Sequence, residues 1–386
     1  MTIHVFADSL GLYPSYVVQN VDKYNTTGLV RFVNLVDQVK IQTDRIELIT
    51  GSISSQQQYV SRLTVEVTRV VFHAYQPMSY YFLSFIRRKY PAAKMCWVFW
   101  SFEIYNRPSV YLDILGKFSK QYYLSKGRSR LVKIKQWLYR ILPDVLINAG
   151  FRIMNKALVT ERKFIQSFAA IHEFYSLLDN DYVYLRTHFD VSHMKHEKFA
   201  YLSLEKMIPD LENEMSPGDL IMVGHSAAIE GNQYEILTML SPLSVSVKRR
   251  IWLPLAYGNE DYRKVIRLYA KSIFSQVEIL EDKLTPADYY QKLKQVGYCI
   301  LNIKVQQGIG NITALLWYGV KLFLSKESGM YIDFKQSGFM IYSIEDDLNE
   351  EELNLKLTED QIQTNRRILK SLLSDQKLSV YWRKLN

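Results

Sequence analysis

The chain has 386 residues, 48% of them hydrophobic and 23% charged, with a formal net charge of +9. That length is about two to three times a typical domain, so two domains are expected, and ample apolar content with an ordinary charged fraction excludes wholesale disorder. No apolar window approaches the ~20 residues of a spanning helix. Met1 leads into a short apolar strand rather than a basic and then long apolar leader, so neither a membrane span nor a signal peptide is expected. The two cysteines, Cys96 and Cys299, stand inside apolar runs and read as buried thiols in a reducing cytoplasm rather than as a disulfide.

From the N-terminus, short apolar runs at Ile3–Phe6, Ile46–Ile49, Val70–His73, Met95–Trp100, Lys156–Val159 and Tyr182–Leu185 read as buried strands. Helical patterns such as Met78–Arg88 and Glu161–Ala170 sit between them. Strands alternating with helices predict a mainly parallel sheet covered on both faces. His73 falls at the carboxyl end of its strand, where ligands collect in open α/β sheets.

Between Lys117 and Arg140 the chain carries eight basic residues (Lys117, Lys120, Lys126, Arg128, Arg130, Lys133, Lys135, Arg140) and no acidic one, interleaved with Phe118, Tyr122, Trp137 and several leucines. A basic amphipathic segment of this make-up suits an anionic bilayer, with about 1 kcal/mol per basic residue near the lipid. Nucleic acid and a plain solvated face compete; lipid is the reading carried forward.

Asp179-Asn-Asp181 has a metal-binding Asp-x-Asp spacing, but turn-forming Asx residues between a helix and a strand account for it. His188, His193 and His196 lack the further ligands that would complete a zinc site. The polar stretch Asp190–Asp219 is the expected linker, so the domains are placed at 1–200 and 201–386, the last helix free to return to the first.

The second half repeats the alternation more cleanly. Strands are expected at Leu220–Val223, Ile251–Ala256, Val277–Leu280, Tyr298–Ile303, Val320–Leu324 and Phe339–Tyr342, with a helix from about Ala287. An acidic helix-prone stretch, Glu345–Glu359, and a helix at Gln361–Leu373 follow. Gly224-His-Ser-Ala-Ala228, Tyr257-Gly-Asn259, Glu281 and Gly308 all fall at carboxyl ends of strands. Gly224-His-Ser226 has the look of a nucleophile elbow, but that mechanism places its histidine after the serine, and all seven histidines precede Ser226. A loop offering N–H and hydroxyl groups to a phosphate suits the same residues better.

Gln306-Gln-Gly-Ile-Gly-Asn311 joins a strand to a helix expected to start near Asn311. Two glycines there let main-chain N–H groups approach an anion at the positive end of the helix. A nicotinamide-type site is disfavoured, because the third glycine and the ribose-binding acid ~20 residues on are missing.

With these loops in hand, the chain resembles the TDP-4-acetamido-4,6-dideoxygalactose (Fuc4NAc):lipid II transferases of enterobacterial common antigen synthesis. The resemblance runs mainly from Leu220 to Leu353. It rests on Val223-Gly-His-Ser226, Pro254 with Tyr257-Gly258, Glu278-Ile-Leu-Glu-Asp-Lys-Leu284 with Tyr289, Gln306-Gln-Gly-Ile-Gly310 and Asp346-Asp-Leu348. A thinner echo covers Phe72-His73 and Trp100-x-x-Glu-Ile-Tyr105. Here Glu103 stands where the family motif has Asp, and His225 where it has Asn.

The resemblance implies a GT-B fold, two Rossmann-like domains facing across a cleft, with a nucleotide sugar on the second and the acceptor on the first. It implies a peripheral enzyme on the cytoplasmic face of the plasma membrane, using an undecaprenyl-diphosphate-linked or other glycan acceptor. The donor is a TDP- or UDP-sugar, with no metal or other cofactor and no nucleic-acid partner expected. On that reading Gly224, Ser226, Gln307, Gly308, Ile309, Gly310 and Asn311 cradle the diphosphate. Tyr257 with Gly258 and Glu281 face ribose and base, and Leu284 and Tyr289 form the wall. Glu103 or His73 is the candidate base. A non-catalytic glycolipid-binding scaffold is the second reading.

Overall fold

A computed structural model describes residues 1–8, 12–24, 28–36, 38–40, 43–107, 110–126, 159–208, 211–212, 217–243 and 249–385. The chain divides into two compact units: Met1–Ile104, Arg130–Tyr201 and Gln376–Asn386 form one, and Tyr105–Ser129 with Leu202–Asp375 the other. Their main division thus falls inside the polar stretch expected to link two domains.

Among the described residues of the first unit, seven strands form one parallel sheet. They are β1 (Thr2–Phe6), β2 (Val30–Asn34), β3 (Ile46–Leu48), β4 (Arg69–His73), β5 (Lys94–Val98), β6 (Glu173–Ser176) and β7 (Lys195–Lys198), in the order β3-β2-β1-β4-β5-β6-β7. Apolar runs such as Val70–Phe72 and Met95–Val98 are buried on both faces, as helices on both sides of a parallel sheet require. The second unit carries β8 (Leu220–Val223), β9 (Ile251–Pro254), β10 (Val277–Leu280), β11 (Val296–Leu301), β12 (Lys321–Leu324) and β13 (Tyr342–Ser343). Its order is β10-β9-β8-β11-β12-β13, again parallel throughout. Each sheet therefore reverses direction once, between β1 and β4 and between β8 and β11. Such switch points are where open α/β sheets bind ligands, at the carboxyl ends of the strands.

The local signals for the second unit are strong. Thr285 caps the helix Pro286–Leu293 with Pro286 in its first turn, Asn259 caps Glu260–Ile273, and Thr358 with Gln361 forms a capping box before Glu359–Leu373.

Several expectations are corrected. Tyr182–Leu185 is not a strand; it lies in the helix Asp179–His188, whose first turn holds Asp179 and Asp181 near the positive helix end and which buries Asp181 and Leu185 one turn apart. The true strand, β6, hides behind the charge of Glu173, which Arg69 neutralises at 2.7 Å. The expected linker contains β7, a polar edge strand whose charges suit its place at the sheet margin. In the second unit, Glu345–Glu359 gives only the short helix Ile344–Asp347 followed by turns, and β13 begins at Tyr342 rather than Phe339. The expected strand Lys156–Val159 lies outside the described residues except for Val159.

Candidate active site

In the second unit, β8 ends at Val223 and the chain turns through Gly224, whose φ is 69°, into His225 and Ser226. Gln233, fully buried, donates from Nε2 to the Ser226 carbonyl and packs against Gly224. The Ser226 hydroxyl accepts from Ala228 N at 3.3 Å, so it also braces its own turn. The loop after β9 is zipped to this one: Ala227 N donates to Tyr257 O at 2.7 Å and Asn259 N to Ala227 O at 2.9 Å. Gly258 is what permits the approach, since a Cβ there would lie 2.4 Å from the Ala227 carbonyl carbon. Its part is to hold two loops together.

The third contribution comes from the turn after β11. Gly308, at φ 65°, is the N-cap of the helix Ile309–Trp317, so the helix starts two residues earlier than expected. A non-glycine residue in this left-handed conformation costs roughly 1–2 kcal/mol. Gly310 needs no such freedom: it is helical, exposed, and a Cβ there meets nothing within 4 Å. Behind the turn, Gln307 Nε2 donates to Glu230 Oε1 at 3.1 Å while Tyr111 donates its hydroxyl to Glu230 Oε2 at 3.0 Å. The Glu230 carboxylate accepts both, which aims the Gln307 amide. Gln306 Oε1 and Gln307 Oε1 are buried without partners among the described residues.

A pocket of about 310 Å³ opens where these loops meet, at the carboxyl ends of β8, β9 and β10. Pro254, Tyr257, Leu284, Pro286 and Tyr289 give it apolar and aromatic walls; His225, Lys283 and Asn311 supply polar groups. Of the residues singled out from sequence, Tyr257, Leu284, Tyr289 and Asn311 line it. Gly308 and Ile309 start the helix that carries Asn311. Glu281 does not line it: both carboxylate oxygens lie 3.2 Å from Arg267 Nη1.

His225 was missed as a site residue, though it stands between two residues that were named. It is 6% exposed, its Nδ1 has no partner among the described residues, and burial holds its pKa down to about 4. A Cβ at Gly308 would sit 3.4 Å from the ring. A larger recess of about 760 Å³ lies at the opposite, amino ends of the strands, lined by Arg249, Arg250, Lys294 and Asp219 among others. None of the predicted residues reaches it.

In the first unit the polar groups at the switch point are joined to one another. His4 Nδ1 and His73 Nε2 share a hydrogen bond at 2.9 Å, and His73 Nδ1 shares another with the Tyr201 hydroxyl at 2.8 Å. Trp100 donates from Nε1 to the same hydroxyl. Both nitrogens of His73 are thus engaged. Burial, reinforced by neighbouring His4, keeps its pKa well below the ordinary histidine range, so it is neutral at pH 7. Glu103 is 3% exposed, and its Oε1 accepts from Trp97 Nε1 at 2.9 Å and Trp100 N at 2.8 Å. The residues that follow β4 and that precede the Glu103 turn, Ala74 and Ser101, have φ of 60° and 76°. Non-glycine residues hold such angles only where the surroundings force them, commonly at functional edges.

The remaining motifs find ordinary places. Asp179 pairs with Lys198 at 2.8 Å; His188, His193 and His196 bond separately to Tyr184 O, Ile171 O and the Ser176 hydroxyl. Among the described residues no group of three His, Cys, Asp or Glu is arranged to hold a metal ion, and no helix is long and apolar enough to cross a membrane.

Of the basic stretch Lys117–Arg140, residues 127–140 lie outside the described residues. The helix Lys117–Ser125 belongs to the second unit, not to the first half as expected. There Phe118 stacks on Tyr234, Tyr122 packs on Tyr262, and Glu235 accepts from Ser119 N and its hydroxyl. Its aromatic face is spent on protein packing, which leaves Lys117 and Lys120 exposed.

Residues 179–371, half of the chain, match the family described as 4-alpha-L-fucosyltransferase, glycosyl transferase group 56. Among solved structures, the chain is similar to apo OtsA (TM-score 0.61, 9% identity, covering 99% of this chain and 97% of that one). It is also similar to a structure described as trehalose-6-phosphate from E. coli bound with UDP-2-fluoro glucose (0.60, 9%, 100% and 97%). A third is WaaG, a glycosyltransferase involved in lipopolysaccharide biosynthesis (0.54, 10%, 100% and 98%). At these identities the likeness concerns the fold, which is GT-B.

Proposed function

Because the chain belongs to the 4-alpha-L-fucosyltransferase family of glycosyltransferases, we propose that it moves a deoxy or acetamido sugar, of Fuc4NAc type, from a nucleotide diphosphate sugar to a lipid-linked glycan. The second unit takes the donor. One observation carries this: a pocket with aromatic walls at the carboxyl ends of β8–β10 shares Asn311 with the N-terminal turn of the helix Ile309–Trp317. The nucleoside enters between Tyr257, Tyr289 and Pro254, and the diphosphate meets the main-chain N–H groups after Gly308. Bond cleavage leaves charge on that diphosphate, which donors fixed in advance stabilise without reorganising.

Thermal denaturation with TDP, UDP and GDP tests the reading. A ligand at 100 times its Kd adds about 2.7 kcal/mol to the folded state, so one of the three raises Tm by several degrees. If all three leave Tm unmoved, the donor assignment is wrong.

The acceptor half of the reaction falls to the first unit. An inverting transfer needs a base for the acceptor hydroxyl. His73 has both nitrogens committed, so its part is to hold Tyr201, which in turn accepts from Trp100; Glu103 is the base candidate. Transfer rates of Glu103→Gln and His73→Asn separate the two, and unchanged rates in both remove both from the chemistry. The diphosphate charge is assigned to main-chain dipoles rather than to a divalent ion, so chelation by EDTA leaves transfer intact; a loss on chelation overturns that part. The basic run from Lys117 supplies electrostatic attraction to the cytoplasmic membrane face. Co-sedimentation with anionic but not zwitterionic vesicles is expected, and equal binding to both contradicts it.

A further inference from the structure

His225 is the polar group that the pocket holds without a hydrogen bond to its Nδ1. A buried unpaired polar atom costs free energy comparable to a lost hydrogen bond, on the order of 1–3 kcal/mol, so such atoms in folded proteins point to a missing partner. The ring is 6% exposed, lines the pocket, and lies against Gly308 at the positive end of the helix Ile309–Trp317. The only charged side chain sharing the described pocket lining is Lys283; Tyr257 and Tyr289 are its titratable phenols, Tyr289 pushed up chiefly by burial, and no carboxylate is among them. On the adjoining turn, Gln306 and Gln307 carry neutral amides, and the Glu230 carboxylate behind them is bonded to Gln307 and Tyr111. Among the protein's own described groups around the pocket, nothing rewards a charge on His225.

We propose that His225 is a proton-accepting contact for the donor. When a nucleoside diphosphate enters, the imidazole takes one proton from solvent and faces the diphosphate as imidazolium; no covalent bond forms or breaks. This rests on the nucleotide-diphosphate reading of the pocket. The chemistry follows from charge: an anion beside a buried imidazole favours its protonated form, opposing the burial that by itself holds it neutral. The pKa of the group is raised by binding, so the extra affinity is present at low pH and is lost as pH rises through the imidazolium's pKa in the complex. Binding and proton uptake are therefore linked.

The test is calorimetric titration of the full chain with UDP, TDP and GDP, in buffers of different ionisation enthalpy, at several pH values. For the nucleotide that binds, the expected result is net proton uptake and a Kd that weakens by up to about tenfold per pH unit between the imidazole's low pKa in the free protein and its raised pKa in the complex, levelling off above the latter. H225N and H225Q, which offer an amide in place of the ring, bind without proton uptake and with a flat pH profile. A wild type that binds with no uptake at any pH overturns the proposal. So does uptake that persists in both variants, because another group then titrates. If no nucleotide binds even to the wild type, the donor reading itself has failed, an outcome distinct from binding without a proton.

Discussion

Both units order their strands around the same kind of switch point, yet they treat the polar side chains there in opposite ways. In the first unit His4, His73, Tyr201 and Trp100 bond in series, with both His73 nitrogens used. In the second, Nδ1 of His225 and the amide oxygens of Gln306 and Gln307 are buried without partners among the described residues, beside a pocket of about 310 Å³. A saturated chain fixes side-chain positions. Buried polar atoms without partners call for an explanation, and the proposed donor supplies one for His225. On the proposed reading, the same topology carries a positioning device in one unit and the donor site in the other.

The largest expected effect breaks the binding site. Gly308→Val forces a β-branched residue into φ 65° at the helix start, and removing an aligned donor of this kind typically costs ~10²–10³ in rate. Sugar transfer should fall by at least that factor with circular dichroism unchanged; wild-type kcat in a folded variant would show that the diphosphate lies elsewhere. Next in size is the saturated chain. His73→Phe removes both of its bonds, taking one partner each from the Tyr201 hydroxyl, which keeps Trp100, and from His4 Nδ1, a loss on the order of 1–3 kcal/mol. Chemical denaturation should register the loss, and a stability within error of wild type would mean that the chain is not formed.

A third test concerns the amino ends of the first unit's strands, remote from its switch point. Burial opposes charge on Glu173, but the Tyr175 hydroxyl, Arg69 and Cys96 outweigh it and hold its pKa down to about 2. A carboxylate depressed on folding contributes stability above its unfolded pKa, near the ordinary glutamate value, and loses it as pH falls toward 2. Melting temperature should drop across that window in the wild type and more shallowly in Glu173→Gln; parallel curves would contradict the pairing. The smallest effect separates the two glycines of the helix start. Gly310→Ala, in open helical space, should raise stability by about 0.5–1 kcal/mol while weakening nucleotide binding. If it stabilises and leaves binding untouched, the diphosphate does not pass over Gly310.

Much of this was legible in the sequence because the second unit is locally consistent. The runs Leu220–Val223, Ile251–Pro254, Val277–Leu280 and Tyr298–Leu301 are apolar, short and followed by turn residues, so strands and loop edges could be read together. The first unit was harder. β6 carries Glu173 and β7 reads Lys-His-Glu-Lys, and only the tertiary partner Arg69 and the edge position make those strands plausible. The Arg267 pairing of Glu281 and the closeness of Gly258 to Ala227 were invisible because both join residues across the fold. For His225, its neighbours in the chain were the one available sign. What marks it is an unmet hydrogen bond, which no residue pattern displays.

The most direct measurement is a crystal structure of the protein soaked with the nucleotide that raises its Tm. Phosphate density within hydrogen-bonding distance of the Ile309 and Gly310 main-chain nitrogens, with the base against Tyr257 or Tyr289, is the predicted result. Phosphates bound instead in the recess of Arg249 and Arg250 at the amino ends of the strands would contradict it.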